Sequence, residues 1–153
     1  MHSSFKAGLY ASLLAFAVSA CQGGGGKNPP DAPQAQASLE NTLWKLVKLG
    51  DQPVTLAPGA RQSSFTLVAE TRRVQGDTGC NRMMGGYTLQ GDSLRFSALA
   101  TTRMACPDGV GQTEAAFLKA LEAAGKWRIQ GETLELRDSQ GASLAVFESL
   151  YLR

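Results

Sequence analysis

The segment Tyr87-Thr88-Leu89-Gln90-Gly91-Asp92-Ser93-Leu94-Arg95-Phe96 aligns without gaps onto Trp127-Arg128-Ile129-Gln130-Gly131-Glu132-Thr133-Leu134-Glu135-Leu136, forty residues further along the chain. In both, apolar and polar residues alternate around a central Gly followed by an acidic residue. That is the pattern of two strands joined by a two-residue hairpin turn. The likeness fits an internal duplication or two separate arrivals at a good hairpin. Either origin predicts a curled antiparallel sheet, and closing its edges gives a small barrel or half-barrel.

Outward from these hairpins the chain reads as further short strands. Thr42 to Leu49 places Trp44 and Leu46 on one face, and Ser64 to Ala69 alternates Phe65, Leu67 and Ala69. Val54 to Leu56, Arg73 to Asp77 and Ser143 to Tyr151 complete the expected set, with the hairpin strands at 87–90, 93–97, 127–130 and 133–137. One helix interrupts them. Thr113 offers an N-cap, Glu114 suits the positive helix start, and Ala115 to Ala124 are strong helix formers ending at Gly125. Phe117, Leu121 and Ala124 share a face, with Leu118 beside them. The expected fold is α+β and mostly β, a small curled antiparallel sheet or half-barrel with one covering helix.

Composition agrees with this and narrows the function. With 153 residues, 43% hydrophobic, the chain can build one core. Seventeen glycines and six prolines favour short strands over a helical bundle. A net charge of +2 with no basic stripe offers nucleic acid no electrostatic footprint.

The N-terminus reads as an address. Lys6 precedes the apolar run Ala7 to Ala20, which is too short for a membrane-spanning helix and has the character of a secretory signal core. It ends in Val18-Ser19-Ala20-Cys21, which resembles the bacterial lipobox. That resemblance implies cleavage of residues 1–20 and diacylglyceryl and palmitate chains on Cys21; the competing reading is an ordinary secretory signal with an incidental cysteine. More than one acyl chain, at roughly 0.8 kcal/mol per buried methylene, anchors stably without a transmembrane helix. Residues 21–38, rich in Gly, Pro, Gln and Ala, form a tether to a domain expected over 39–153. As a flexible coil the tether reaches about 20 to 25 Å. Gln22 lacks the aspartate associated with inner-membrane retention, so the expected location is the outer membrane, facing the periplasm. His2, the single histidine, leaves with the signal, and imidazole bases, Ser-His or Cys-His pairs and His metal ligands leave with it.

Two segments carry a signature: Gly79-Cys80-Asn81-Arg82-Met83-Met84-Gly85-Gly86-Tyr87 and Ala100-Thr101-Thr102-Arg103-Met104-Ala105-Cys106-Pro107. With Trp44, the helix residues Glu114, Phe117 and Leu121, and the Leu134 and Leu136 strand, they resemble the META domain, also called the HslJ-like family. The resemblance spans residues 40 to 150 and marks Asn81, Arg82, Thr102, Arg103 and Met104 as the family motif. It implies a β-rich domain with one helix on bacterial envelope lipoproteins, linked to stress and drug tolerance, with no established enzymatic activity and no cofactor.

Read for themselves, Cys80 and Cys106 are the cysteines left once Cys21 is acylated, and an oxidising periplasm makes a disulfide the default. Met83, Met84 and Met104 lie within four residues of these cysteines. They are either core packing around the disulfide or part of a soft Cu(I) site. If a disulfide brings the two segments together, Arg82 and Arg103 share a small surface, read first as a plain solvated face or one salt-bridged to Asp77 or Asp108, and otherwise as an anion site. Asn81 among glycines suggests a tight turn that exposes backbone. The acidic pairs Glu70 with Asp77 and Glu132 with Glu135 read as solvated charges rather than acid and base. No catalytic residue is expected. The function expected is non-catalytic binding or envelope support, with an envelope protein or small ligand as partner; the alternative is a small-molecule or copper carrier with its pocket in the barrel mouth.

Overall fold

The structure, a computed structural model, describes residues 36–150. The expected signal, Cys21 and the tether up to residue 35 lie outside the described residues, as does Tyr151. Strands β1 (Leu43–Leu49), β2 (Gln52–Pro53), β3 (Ser64–Val68), β4 (Arg73–Asp77), β5 (Arg82–Gln90) and β6 (Ser93–Thr101) are followed by helix α1 (Val110–Ala123), then β7 (Lys126–Gln130), β8 (Thr133–Arg137) and β9 (Ser143–Leu150). Every pairing is antiparallel, and the order β1-β3-β4-β5-β6-β7-β8-β9 closes into a ring because β9 also pairs with β1. β2 hangs on the outside of β1. The expected curled, mostly β architecture with one helix is what the described residues form, with the ring closed.

The two hairpins share one register. Tyr87 faces Phe96 and Leu89 faces Leu94 in the first; Trp127 faces Leu136 and Ile129 faces Leu134 in the second. Gly91 and Gly131 open the turns at φ 55° and 58°, in the left-handed region that a two-residue hairpin needs and that glycine enters without steric cost. The hairpins meet edge to edge at a single register pair, Ser93 with Lys126. Two backbone bonds reinforce the joint, Leu94 N to Gly125 O at 3.2 Å and Trp127 N to Asp92 O at 3.0 Å.

Alternation along the strands sends Trp44, Leu46, Phe65, Leu67, Val74, Met83, Leu94, Leu134, Leu136, Ala145 and Phe147 inward, where all are buried. Helix α1 adds Phe117 and Leu121 to the same cluster. Phe147 sits edge-on to Phe65 at 5.0 Å and meets Phe117 at 6.1 Å, so strand and helix share one aromatic centre.

Several boundaries differ from expectation. The helix begins at Val110, with Gly109 at the N-cap (φ 80°) and no side-chain cap, so Thr113 lies inside the helix rather than capping it. The turn from Pro107, whose carbonyl accepts from Val110 N, starts the helix early. Its end is an extended Ala124, and Gly125 answers a close approach rather than a left-handed turn: a Cβ there would stand 3.0 Å from Ser139 N. The expected strand at 54–56 is replaced by the two residues of β2. β5 begins at Arg82 and β6 runs on to Thr101, because the hairpin continues past a register shift between Met84 and Gly86.

Order begins ahead of the first strand. Ala37 and Leu39 are buried, Ala37 N donates to Gly131 O, and Leu39 O accepts from the Trp44 indole at 2.9 Å. Glu40 then accepts from the Tyr87 hydroxyl and, at 2.6 Å, from Arg72. Burial and the hydrogen bond to Glu40 push the Tyr87 phenol above its ordinary value of 10.0. The folded state therefore keeps this proton after the unfolded chain has released it, and stability should fall as pH rises above about 10. Tyr87→Phe is expected to flatten that alkaline limb in melts across the range. Identical slopes in both proteins would show that the fold does not hold the phenol's proton.

Candidate functional site

The signature residues meet where the start of β5, the loop after β6 and helix α1 come together. Cys80 and Cys106, 26 residues apart, form a disulfide with Cα atoms 5.6 Å apart. Asn81, beside Cys80, closes the tight bend expected there, with Thr78 N donating to Asn81 O at 2.8 Å, but it is buried and does not expose its surroundings. Its carboxamide is fully used. Nδ2 donates to both carboxylate oxygens of Glu114, at 3.0 and 2.9 Å, and approaches Cys106 Sγ at 3.5 Å. Oδ1 accepts from the Thr102 hydroxyl at 3.0 Å and from Met104 N at 2.8 Å. One side chain thus ties three segments together, which suits Asn because it supplies two donors and two acceptors in a plane.

Thr78 completes the junction. Its hydroxyl accepts from Asn81 N at 3.0 Å and has its single proton to share between two acceptors in reach, a Glu114 carboxylate oxygen and Asn81 O. Ser63 donates to Thr78 O at 2.9 Å. Arg82 and Thr102 exchange bonds across the strand pair, Arg82 N to Thr102 Oγ1 and Thr102 N to Arg82 O. Asn81→Ala should leave Glu114, Met104 N and Thr102 short of partners and cost about 2 kcal/mol in denaturant unfolding, the disulfide remaining formed. A cost below about 0.5 kcal/mol would mean water replaces the carboxamide freely.

Other residues of the signature stand outside this network. The Arg82 and Arg103 side chains are exposed, and among the described residues neither joins an ion pair; Asp77 is taken instead by Arg61 at 2.6 Å. Met83 is buried in the core, whereas Met84 and Met104 are 54% and 58% exposed, so alternation along β5 points two of the sulfurs in opposite directions. Of the acidic pairs, Glu135 is bound by Arg137 at 2.6 Å. Burial raises its pKa, but the bonds from Arg137 and Ser143 and the nearby Arg137 and Arg128 charges outweigh that and hold it below its usual value.

In sequence Glu114 reads as a helix-start charge and as one of the residues that carry the META resemblance, and neither reading names its partners. In the structure it lies beyond the first turn, half-buried, with Thr78 and Asn81 as its bonding partners. Thr78, Ser63 and Arg61 carried no sequence signal: their roles come from contacts fifteen or more residues away, apart from the local Thr78 to Asn81 bonds. Glu114, Cys80 and Cys106 place one oxygen and two sulfurs within 4.8 Å of one another. On the outer wall, Leu43, Ser64, Thr66, Gln75, Arg82 and Met84 are among the residues lining an open groove of about 520 Å³.

A model of the META domain family matches residues 37–150. No curated protein matches the chain. Among solved structures, the NMR structure of a protein from Burkholderia xenovorans is similar at 30% identity and TM-score 0.61, covering 82% of this chain and all of that one. A second NMR structure is similar at 20% identity and TM-score 0.56, covering 72% of this chain and 90% of that one. The crystal structure of a DUF4847 family protein from Bacteroides vulgatus shares the fold at 12% identity and TM-score 0.53, covering 72% and 93%. A disulfide-braced closed barrel, the Asn81 junction and the match over the whole packed body agree: the chain belongs to the META domain family.

Proposed function

We propose that this META domain is a lipid-anchored envelope module, held through Cys21 in the outer membrane and facing the periplasm, which works by binding or supporting an envelope partner rather than by catalysis. The observation that carries the non-catalytic reading is the filled ring. Its interior is occupied by Trp44, Phe65, Phe147 and Phe117 with their aliphatic neighbours, so side chains take the space in which a carrier would hold its cargo. The polar junction at Asn81 is consumed by internal hydrogen bonds and ties segments together. Anchoring is supported by the Val18-Ser19-Ala20-Cys21 stretch, and no helix among the described residues is long and apolar enough to cross a membrane. A role in stress or drug tolerance follows from the family resemblance.

The carrier reading retains one favourable observation, the outer groove between Leu43 and Met84, where Arg82 and the Ser64 and Thr66 hydroxyls could orient a small polar ligand. For copper, Met83 is buried in the core while Met84 and Met104 are exposed, and the two cysteine sulfurs are bonded to each other.

The test compares native protein with Cys21→Ser by membrane fractionation, intact mass and crosslinking in envelopes. Acylated wild type in the outer-membrane fraction, soluble Cys21→Ser, and a crosslinked envelope protein lost in the variant are expected. Unacylated, freely soluble native protein would overturn the anchoring.

A further inference from the structure

Glu114 is a half-buried carboxylate whose hydrogen-bond partners, Asn81 and Thr78, are both neutral. Among the described residues no ion pair includes it. Beside it lie both sulfurs of the disulfide, with the three ligand atoms within 4.8 Å of one another. A negative group kept without a cation, next to two latent thiolates and braced by second-layer hydrogen bonds, has the makings of a metal site.

We propose that reduction of the Cys80–Cys106 disulfide converts this junction into a zinc site, with the two thiolates and Glu114 as protein ligands and a fourth position open to water. The disulfide form cannot serve, because its sulfurs are bonded to each other. The conversion balances. A dithiol reductant gives two electrons and two protons to the bridge and leaves as its own disulfide, producing two cysteine thiols; Zn²⁺ then displaces the two thiol protons to solvent. Zn²⁺ suits this donor set better than Cu(I), since a hard carboxylate completes it and the residues Met84 and Met104 are exposed. Tetrahedral zinc with bonds of about 2.0 to 2.3 Å needs ligand atoms about 3.3 to 3.8 Å apart, so modest side-chain rotation suffices. Asn81 Nδ2, near both Glu114 and Cys106 Sγ, would orient the carboxylate and stabilise one thiolate. The inference rests on the junction alone and not on where the protein resides.

Its test uses the full chain carrying Cys21→Ser, so that no third thiol contributes, and Co²⁺ as a spectroscopic stand-in for Zn²⁺. The reduced protein should take up one equivalent with thiolate-to-cobalt charge-transfer absorption that Zn²⁺ abolishes, and the oxidised protein none. Glu114→Gln should form the same disulfide yet weaken Co²⁺ binding by at least about tenfold, and Asn81→Ala by about 10- to 100-fold. Glu122→Gln, on the exposed side of the same helix, should change nothing. Absence of the charge-transfer band would overturn the proposal. So would equal affinity in wild type and Glu114→Gln, which is also what thiols of a reduced, unfolded chain would give.

Discussion

Replacing Phe147 with alanine is expected to destabilise the protein by about 4 to 5 kcal/mol, the upper part of the range for burying a cavity where an aromatic ring stood. Phe147 is fully buried on β9, directly opposite Leu46 of β1 and Leu134 of β8, so it lies on the seam that closes the ring. Its ring also holds Phe65 at 5.0 Å and Phe117 of the helix at 6.1 Å. The loss combines transfer free energy, the cavity, and aromatic edge contacts worth about 0.5 to 1.5 kcal/mol each. Four elements would have to move together to fill the hole, which argues against relief by collapse. Leu150→Ala, on the same strand but 47% exposed, should stay within about 0.5 kcal/mol. Urea unfolding of the two variants side by side checks the contrast, and similar losses would place Phe147 outside the core centre.

Removing the disulfide, by Cys80→Ala with Cys106→Ala or by a reductant, should cost about 3.5 kcal/mol by the chain-entropy relation for a loop of this length. For a body of this size that corresponds to a melting temperature roughly 15 °C lower. The bridge joins the entry to β5 with the loop after β6, two ends of a hairpin already paired along nine residues each. That pairing limits the damage: the reduced protein should remain folded at room temperature and melt earlier. An unchanged melting temperature would mean that the unfolded chain is already held compact without the bridge.

The hairpins were readable because their information is local: alternation, a Gly at the turn and an acidic residue after it lie within ten residues of each other. Trp44, Leu46, Phe65 and Leu67 were placed inward for the same reason. Closure of the ring was open between barrel and half-barrel, since the pairing of Leu43 with Leu150 joins strands from opposite ends of the domain and leaves no mark in either. The helix start was misplaced because Thr113 and Glu114 satisfy a local capping pattern, while the chain uses Gly109 and a turn from Pro107. The cysteine pair is legible from redox chemistry, whereas the glycines around Asn81 point to a turn and give no sign of its bonds. Its importance comes from Glu114, 33 residues away, and from Thr102 and Met104. Met83 and Met84 looked alike in sequence and part company by strand alternation.

Because β1 lies beside β9, the first and last staves of the domain are neighbours, and Leu43 sits across from Leu150. Beginning and end are therefore interchangeable in principle. A short splice between them, with a new opening cut at the Gly141 turn, whose bonds are local, would reorder the chain while leaving every stave in place. What specifies this molecule is the circular sequence of contacts, and the point at which a ribosome starts reading it is incidental to the shape.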